Sequence, residues 1–156
     1  MKNKNILKTL IFIFIIGCGY NPILVDKKYP FTIQNIEKIG NAKVNSTIFQ
    51  KLKNLKKNED YISNKVIYNI KLNKETEKKI ISKDSKGDPL IFEIKVTTVV
   101  TISRDGYEKI LSQTISNKIN YDNQTDKFEL IKYENNLIAN LSTNIADKII
   151  SILSNI

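Results

Sequence analysis

The sequence contains no histidine and no tryptophan, and it has one cysteine, three prolines and five glycines among 156 residues. Without histidine it has neither the usual proton shuttle of neutral-pH catalysis nor the commonest metal ligand, and Cys/His and Ser/His nucleophile pairs are excluded. One cysteine cannot form an intramolecular disulfide. With 41% hydrophobic and 26% charged residues, the composition fits one folded domain rather than a disordered or collagen-like chain. These absences exclude most enzyme classes, and we expect no cofactor and no metal.

The formal net charge is +9 at pH 7. A charge of this size and sign often indicates binding to nucleic acid or to an anionic membrane surface. Lysine, isoleucine and asparagine are abundant along the whole chain, however, so the charge reflects the overall composition. The basic residues are spread out rather than clustered among aromatic side chains, and we expect no nucleic-acid partner.

The N-terminus has the pattern of an export signal. Residues 1–9 carry three lysines, residues 10–16 are all apolar, and the apolar run ends at Gly17 and Cys18. A charged segment, a short apolar segment and a small residue are typical of a secretory signal peptide. The apolar run is much shorter than the roughly 20 residues that span a bilayer, so a cleaved signal is favoured over a permanent transmembrane helix.

The end of this signal resembles the bacterial lipobox. The sequence IIGC (residues 15–18) predicts cleavage between Gly17 and Cys18, with Cys18 as the lipid attachment site that carries diacylglycerol and a further acyl chain such as palmitate. Several acyl chains would anchor the protein stably without a membrane span. The alternative is a plain signal peptide in which Cys18 lies near the cut by chance. Gly19, in place of the aspartate that retains lipoproteins in the inner membrane, favours the outer membrane. The predicted organisation is a signal peptide over residues 1–17, a lipidated tether over residues 18–30 and a domain over residues 31–156.

The domain begins with a strand and a helix. Alternating apolar residues predict a strand over residues 31–39. Thr47 and Gln50 have the spacing of a capping box, and leucine and isoleucine follow at helical intervals, so we predict a helix over residues 47–57.

Three long strands come next. Residues 66–73 alternate between apolar and polar, and the strand is expected to continue irregularly toward Ser82, with a turn at residues 85–89. Residues 90–103 show the strongest alternation, and Asp105–Gly106 predicts a two-residue type I′ hairpin that fixes the register of the last strand. The predicted apolar pairs are Val100 with Leu111, Val96 with Ile115, Phe92 with Ile119 and Leu90 with Tyr121, and the other face pairs Thr97 with Thr114, Val99 with Ser112 and Glu93 with Lys118.

The last segment predicts one long amphipathic helix. Asp126 and Glu129 have capping-box spacing, and one apolar stripe runs through Leu137, Leu141, Ile145, Ile149 and Leu153. A helix of about 25 to 30 residues would be about 40 Å long. A membrane-surface helix or half of a coiled coil would show the same stripe, but packing on the apolar sheet face is favoured. The predicted fold is α+β: a two-layer α/β sandwich with a four-stranded, mostly antiparallel sheet and two helices on one face, in the order β-α-β-β-β-α.

This layout resembles the LPS-assembly lipoprotein LptE family. The resemblance is carried by CGYNPIL (residues 18–24), VVTISRDG (residues 99–106) and ENNLIANLSTNIADKI (residues 134–149), together with the order of the elements. It implies a non-enzymatic protein that is lipid-anchored at the outer membrane and faces the periplasm and a barrel lumen. The implied partner is an LptD-type β-barrel, which the protein would plug and help to assemble as a heterodimer during lipopolysaccharide transport to the cell surface.

The resemblance also implies contact with lipopolysaccharide, whose phosphates suit cationic side chains. The candidate residues are Lys83 and Lys86 in the turn before the third strand and Arg104, the sequence's one arginine, at the far hairpin. The two turns lie at opposite ends of one strand, so these residues cannot form one small site. A polar face with Thr97, Ser112, Thr114 and Ser116 would suit a barrel lumen or plain solvent.

Two other functions would require different features. A freestanding lipid-binding or lipid-transfer lipoprotein would require an apolar cavity between sheet and helix. An enzyme would require clustered carboxylates, but Glu134 and Asp147 are 13 residues apart, which is about 20 Å along a helix, and Glu129 adds no shared site.

Overall fold

A computed structural model describes residues 29–39, 46–56, 65–104 and 110–156. The predicted signal peptide and all of the predicted tether except Tyr29 and Pro30 lie outside the described residues. The elements are β1 (Phe31–Ile39), α1 (Ser46–Lys56), β2 (Val66–Lys83), β3 (Pro89–Arg104), β4 (Leu111–Asp122) and α2 (Lys127–Asn155).

The four strands form one sheet in the order β1-β2-β3-β4. β1 runs parallel to β2, and α1 lies between them in the chain, as a parallel connection requires. β2, β3 and β4 are antiparallel neighbours joined by hairpin connections. Both helices pack on the same side of the sheet, α1 beside β1 and α2 across β3 and β4. The predicted fold class and element order are confirmed.

Most predicted element bounds agree with the structure. β1 has the predicted bounds, and α1 begins one residue earlier than predicted. The expected irregular extension of the second strand is real: β2 reaches Lys83, and its register with β3 shifts between Ile80 and Ser82, which leaves Ile81 as a bulged residue.

The predicted register of the β3–β4 hairpin is wrong by two residues. Val96 lies opposite Asn117 rather than Ile115, and Val100 lies opposite Gln113 rather than Leu111. All seven predicted pairs move in the same way. Because side chains alternate with a period of two, a two-residue slip keeps every residue on its predicted face, so the apolar pattern cannot distinguish the two registers. The predicted turn at Asp105–Gly106 lies outside the described residues.

The core lies between the sheet and α2. All five residues of the predicted stripe on α2 are buried, and Ile145 and Ile149 have no exposed surface. Opposite them, Val96, Val100 and Ile102 are also fully buried. The helix thus uses its apolar face for core packing, as predicted, rather than for a membrane surface or a coiled coil. None of the described helices is long and apolar enough to cross a membrane.

The start of α2 is fixed by the residue that the sequence indicated. Asp126 is the N-cap, and its carboxylate accepts hydrogen bonds from the backbone amides of Phe128 at 2.8 Å and Glu129 at 3.2 Å. These bonds satisfy two of the amides that a helix leaves without partners at its first turn.

One polar layer interrupts the core. Among the described residues, the buried polar side chains are those of Lys74, Thr98 and Ser142. Lys74 and Thr98 face each other across the β2–β3 ladder, and the Lys74 ammonium donates to the Ser142 hydroxyl of α2 at 2.7 Å. Ser142 in turn donates to the backbone carbonyl of Ile138 at 2.6 Å. Burial lowers the pKa of Lys74 below its usual value of 10.5, because the charged form loses hydration.

Candidate functional site

The candidate cationic residues lie at the two ends of the sheet. Lys83 pairs with Pro89 at the β2–β3 turn, whereas Arg104 pairs with Tyr68 near the start of β2. The intervening strand is about 50 Å long at roughly 3.3 Å per residue. The structure therefore brings Lys83 and Lys86 together and keeps Arg104 apart, as the sequence predicted. Gly17 and Cys18 lie outside the described residues, and lipid attachment stays a prediction.

Asp84 organises the turn that carries the two lysines. Its carboxylate accepts the backbone amides of Lys86 at 2.9 Å and Asp88 at 2.8 Å. Gly87 has a φ of +92°, a conformation that side chains with a Cβ rarely adopt. The predicted turn is thus present, and Asp84, which the sequence analysis did not single out, holds it in place. The sequence signal for this role is an aspartate at the start of a turn, because its carboxylate can accept the backbone amides of the residues two and four positions later.

Exposed aliphatic side chains lie beside these lysines. Ile80, Ile81 and Leu90 are 48%, 50% and 49% exposed, although each belongs to a strand. Ile80 lies on the face of β2 that is buried from Tyr68 to Lys74, and Ile81 has no partner in the ladder, yet both reach solvent at this end of the sheet. We call the residues of this end, from Ile80 to Leu90, the amphiphilic tip. Both of its lysines, Lys83 and Lys86, are exposed.

The sheet face opposite the helices carries a row of hydroxyl groups. Thr97 and Ser116 are hydrogen-bonded at 3.1 Å, and Thr101 and Ser112 are 3.4 Å apart. Thr114, opposite Val99, is exposed on the same face. We call this surface the open face. The four predicted residues do share it, but their pairing follows the corrected register.

The open face also carries an ion pair that the sequence predicts and that forms in the observed register as well. Glu93 lies opposite Asn120, yet the Lys118 ammonium still reaches the Glu93 carboxylate diagonally at 2.8 Å. This hydrogen bond lowers the pKa of the Glu93 carboxyl below its usual value.

The carboxylates that an enzyme would need are used in separate contacts. Glu134 accepts from Lys78 at 2.6 Å and from the Tyr121 hydroxyl at 2.7 Å, and burial together with this bond raises the pKa of Tyr121. Asp147 pairs with Lys51 of α1 at 2.7 Å. Within the described residues, no group of three or more His, Cys, Asp or Glu is placed to hold a metal ion. Glu134 connects α2 to the sheet. Hydrophobic periodicity does not reveal this contact, because it does not indicate which residues a carboxylate on a helix will meet.

The chain resembles several solved structures in fold. A rare lipoprotein B from Shewanella oneidensis superposes with a TM-score of 0.61 at 12% identity, over 78% of this chain and 94% of that one. A minor lipoprotein from Acinetobacter baumannii gives 0.58 at 14% identity, over 80% and 92% of the two chains. An uncharacterized lipoprotein B from Nitrosomonas europaea gives 0.58 at 16% identity, over 83% and 88%.

The chain has the fold of these lipoproteins. The match covers most of both chains, so the whole sandwich is shared rather than one motif. Identities of this size establish the fold alone. No protein-family profile matches the sequence, and no curated protein does.

Proposed function

We propose that this protein is an outer-membrane lipoprotein, anchored through Cys18, that plugs and helps to assemble an LptD-type β-barrel and takes part in lipopolysaccharide transport. The observation that carries the proposal is the coincidence of a lipobox with a fold that solved lipoproteins share. The resemblance of the sequence to the LptE family adds to this, because it extends from the lipobox to the final helix. The proposed role is non-enzymatic.

The amphiphilic tip supports contact with a phosphorylated lipid. Lipopolysaccharide presents phosphates beside acyl chains, and the tip presents exposed Lys83 and Lys86 beside exposed Ile80, Ile81 and Leu90. Ammonium groups bind phosphate through charge-assisted hydrogen bonds, while aliphatic side chains suit the acyl chains. Arg104 is far from this end, and we assign it no part in the same contact.

The open face supports the plug. The lumen of a large membrane barrel is polar and holds water unless something fills it. A face with serine and threonine hydroxyls from β3 and β4 offers donors and acceptors to such a wall without requiring a matching charge at each position. The domain is also long and narrow, since its strands reach 18 residues.

The described interior gives less support to a freestanding lipid-transfer protein. That function needs an enclosed apolar cavity. The space between the sheet and α2 is instead occupied by side chains with little or no exposure, such as Leu72, Ile94 and Ile145. The groove beside β4 is open to solvent and lined largely by polar residues.

The first experiment purifies the full chain, tagged at its C-terminus, from detergent-solubilised outer membranes. We expect a stoichiometric large β-barrel in the eluate and an N-terminal peptide whose mass shows acylated Cys18. A Cys18→Ala variant should lose the lipid and the membrane fraction. An acylated protein that elutes alone, or with bound lipid in place of a barrel, would contradict the plug.

A second experiment tests the tip. Purified full chain is titrated with fluorescently labelled lipopolysaccharide, and Lys83→Glu/Lys86→Glu is compared with Lys53→Glu/Lys148→Glu, which reverses two exposed charges on α1 and α2. We expect the tip variant to bind about tenfold more weakly and the control to bind as the unaltered chain does. Equal losses in both would mean that overall charge, and not the tip, governs binding.

A further inference from the structure

The two edges of the sheet differ in a way that the proposed function does not use. At one edge, β1 is nine residues long, and its register shifts between Ile33 and Asn35. Bulges of this kind commonly keep an edge strand from pairing with other chains. At the other edge, β4 has 12 residues and pairs with β3 without a register shift. Its charged residues are Lys118 and Asp122, and it has no proline.

The ladder shows which backbone groups of β4 are free to pair. Leu90 and Asn123 lie opposite each other in the β3–β4 register, and the Asn123 amide donates to the Leu90 carbonyl at 2.8 Å. Hydrogen-bonded and non-hydrogen-bonded pairs alternate along an antiparallel ladder. The odd-numbered residues of β4 therefore bond toward β3. The amides and carbonyls of the even-numbered residues, among them Ser112, Thr114 and Ser116, point outward from the edge.

A groove runs beside this edge on the helix side. It has a volume of about 450 Å³ and lies between β4 and the C-terminal half of α2. Five of its seven lining residues are polar or charged, Gln113, Ser151 and Lys148 among them, and Ile115 and Ile152 supply its aliphatic surface. Every second side chain of a strand added to β4 would point toward this groove, because side chains alternate between the two faces.

We propose that the β4 edge and this groove bind an extended, acidic segment of a partner protein as an additional strand. Its backbone would pair with Ser112, Thr114 and Ser116, its aliphatic side chains would enter the groove, and a carboxylate would lie beside Lys148. Strand addition of this kind draws affinity from main-chain hydrogen bonds and specificity from the pockets for alternate side chains. Strand addition at this edge requires neither a barrel nor lipopolysaccharide and so goes beyond the proposed function.

Charge selects this occupant over a second copy of the chain. Lys148 is the charged residue of the groove, and no carboxylate lines it. A second copy would bring its own Lys148 to the same edge, and like charges at close range oppose pairing. The ammonium of Lys148 has one described contact, with the Asn117 side-chain oxygen at 3.3 Å, and is left to meet an incoming carboxylate.

The test uses the full chain in detergent and two ten-residue peptides, read by fluorescence anisotropy. In one peptide threonine alternates with valine and glutamate, so that valine and glutamate share the face toward the groove, and in the other lysine replaces glutamate. We expect the acidic peptide to bind and the basic one to bind at least tenfold more weakly. Lys148→Glu should reverse this preference, whereas Lys132→Glu, an exposed site near the start of α2, should leave it unchanged.

A backbone variant tests the edge itself. Ser116→Pro removes an amide that points outward and leaves the β3–β4 bonds intact, because proline is tolerated where an edge N–H faces solvent. We expect it to weaken binding about tenfold, and Ser116→Ala to have no effect. Hydrogen exchange of the unaltered chain provides a check that does not depend on folding of the variant: the peptide should slow exchange at Ser112, Thr114 and Ser116.

Each contrary result overturns the proposal. Failure of the acidic peptide to bind would exclude the acidic segment as the occupant. Binding that is unaffected by Ser116→Pro, or that leaves the β4 amides unprotected, would place the peptide elsewhere. A dimer of the chain that Ser116→Pro dissociates would make a second copy the occupant. Loss of the barrel partner in the purification above, with peptide binding intact, would contradict the proposed function alone.

Discussion

Replacement of Lys74 by methionine should stabilise the protein. The Lys74 side chain is only 8% exposed, and its ammonium has one described partner, the uncharged Ser142 hydroxyl. Burial of a charge without a counter-charge is unfavourable, and replacement of buried ionic groups by apolar ones of similar size commonly stabilises by a few kcal/mol. Ser142 still donates to Ile138 in the variant, so its proton keeps a partner. We expect a gain of about 1 to 3 kcal/mol in the free energy of unfolding at pH 7.

The pH dependence of this gain identifies its cause. The folded-state pKa of Lys74 lies below the usual value of 10.5, so the unfolded state binds more protons in the interval between the two values. The stability of the unaltered protein should then rise with pH through this interval, and the penalty of the buried charge should disappear above pH 10.5. The Lys74→Met variant lacks this group. Its advantage should therefore be largest at neutral pH and shrink as the pH approaches 10.5.

Urea denaturation followed by circular dichroism at several pH values measures both effects. Lys79→Met is the matched control, because Lys79 lies on the same strand with its side chain 62% exposed. Its effect should stay within about 0.5 kcal/mol at every pH. A Lys74→Met variant that is less stable than the unaltered protein at pH 7, or an advantage that does not change with pH, would refute the reasoning from burial.

Three further predictions concern separate contacts. Asp126→Ala should lower the free energy of unfolding, measured by urea denaturation, by about 1 kcal/mol, because it removes the N-cap of α2. Asp126→Asn should lower it by less, because asparagine also caps helices well. Glu134→Gln should lower the free energy of unfolding by about 1 to 2 kcal/mol, because it weakens two charge-assisted hydrogen bonds at once. A change within error of zero would contradict this. A Thr97→Cys/Ser116→Cys pair should oxidise to a disulfide within the chain, because the two residues lie opposite each other. A Thr97→Cys/Thr114→Cys pair, which the predicted register would place opposite each other, should not. Thiol titration after mild oxidation therefore distinguishes the observed register from the predicted one.

The elements of this fold follow from local sequence, but their alignment does not. The apolar stripe of α2 and the N-cap at Asp126 define that helix almost completely, because both signals are local. The β3–β4 register depends on the connection between the strands. A slip of two residues keeps the same faces together, and Glu93 meets Lys118 in either alignment. Polarity patterns therefore fix which residues are buried but not which residues face each other.

The candidate site was predictable to the same extent. Lys83 and Lys86 belong to a turn that the sequence predicts, and their separation from Arg104 follows from strand length alone. The exposure of both isoleucines beside them was not predictable, because the face of β2 that is buried at Leu72 is exposed at Ile80. Periodicity assigns one of two consecutive isoleucines to each face, and only the tertiary structure shows that both are half exposed.

The length of β2 relates the tip to the proposed anchor. β1 begins opposite Val66, so the tether joins the sheet at the Arg104 end, about 50 Å from the turn at Lys83. From Cys18 to Tyr29 even a fully extended tether spans only about 40 Å. If Cys18 is held in one leaflet and the strands lead away from the tether, the tip lies about 50 Å beyond the point where the tether joins the sheet. In that orientation the leaflet that holds the anchor does not reach the exposed isoleucines. A partner or a lipid delivered from elsewhere would then cover them, and this is why we propose the tip, rather than the anchored end, for the contact with lipopolysaccharide.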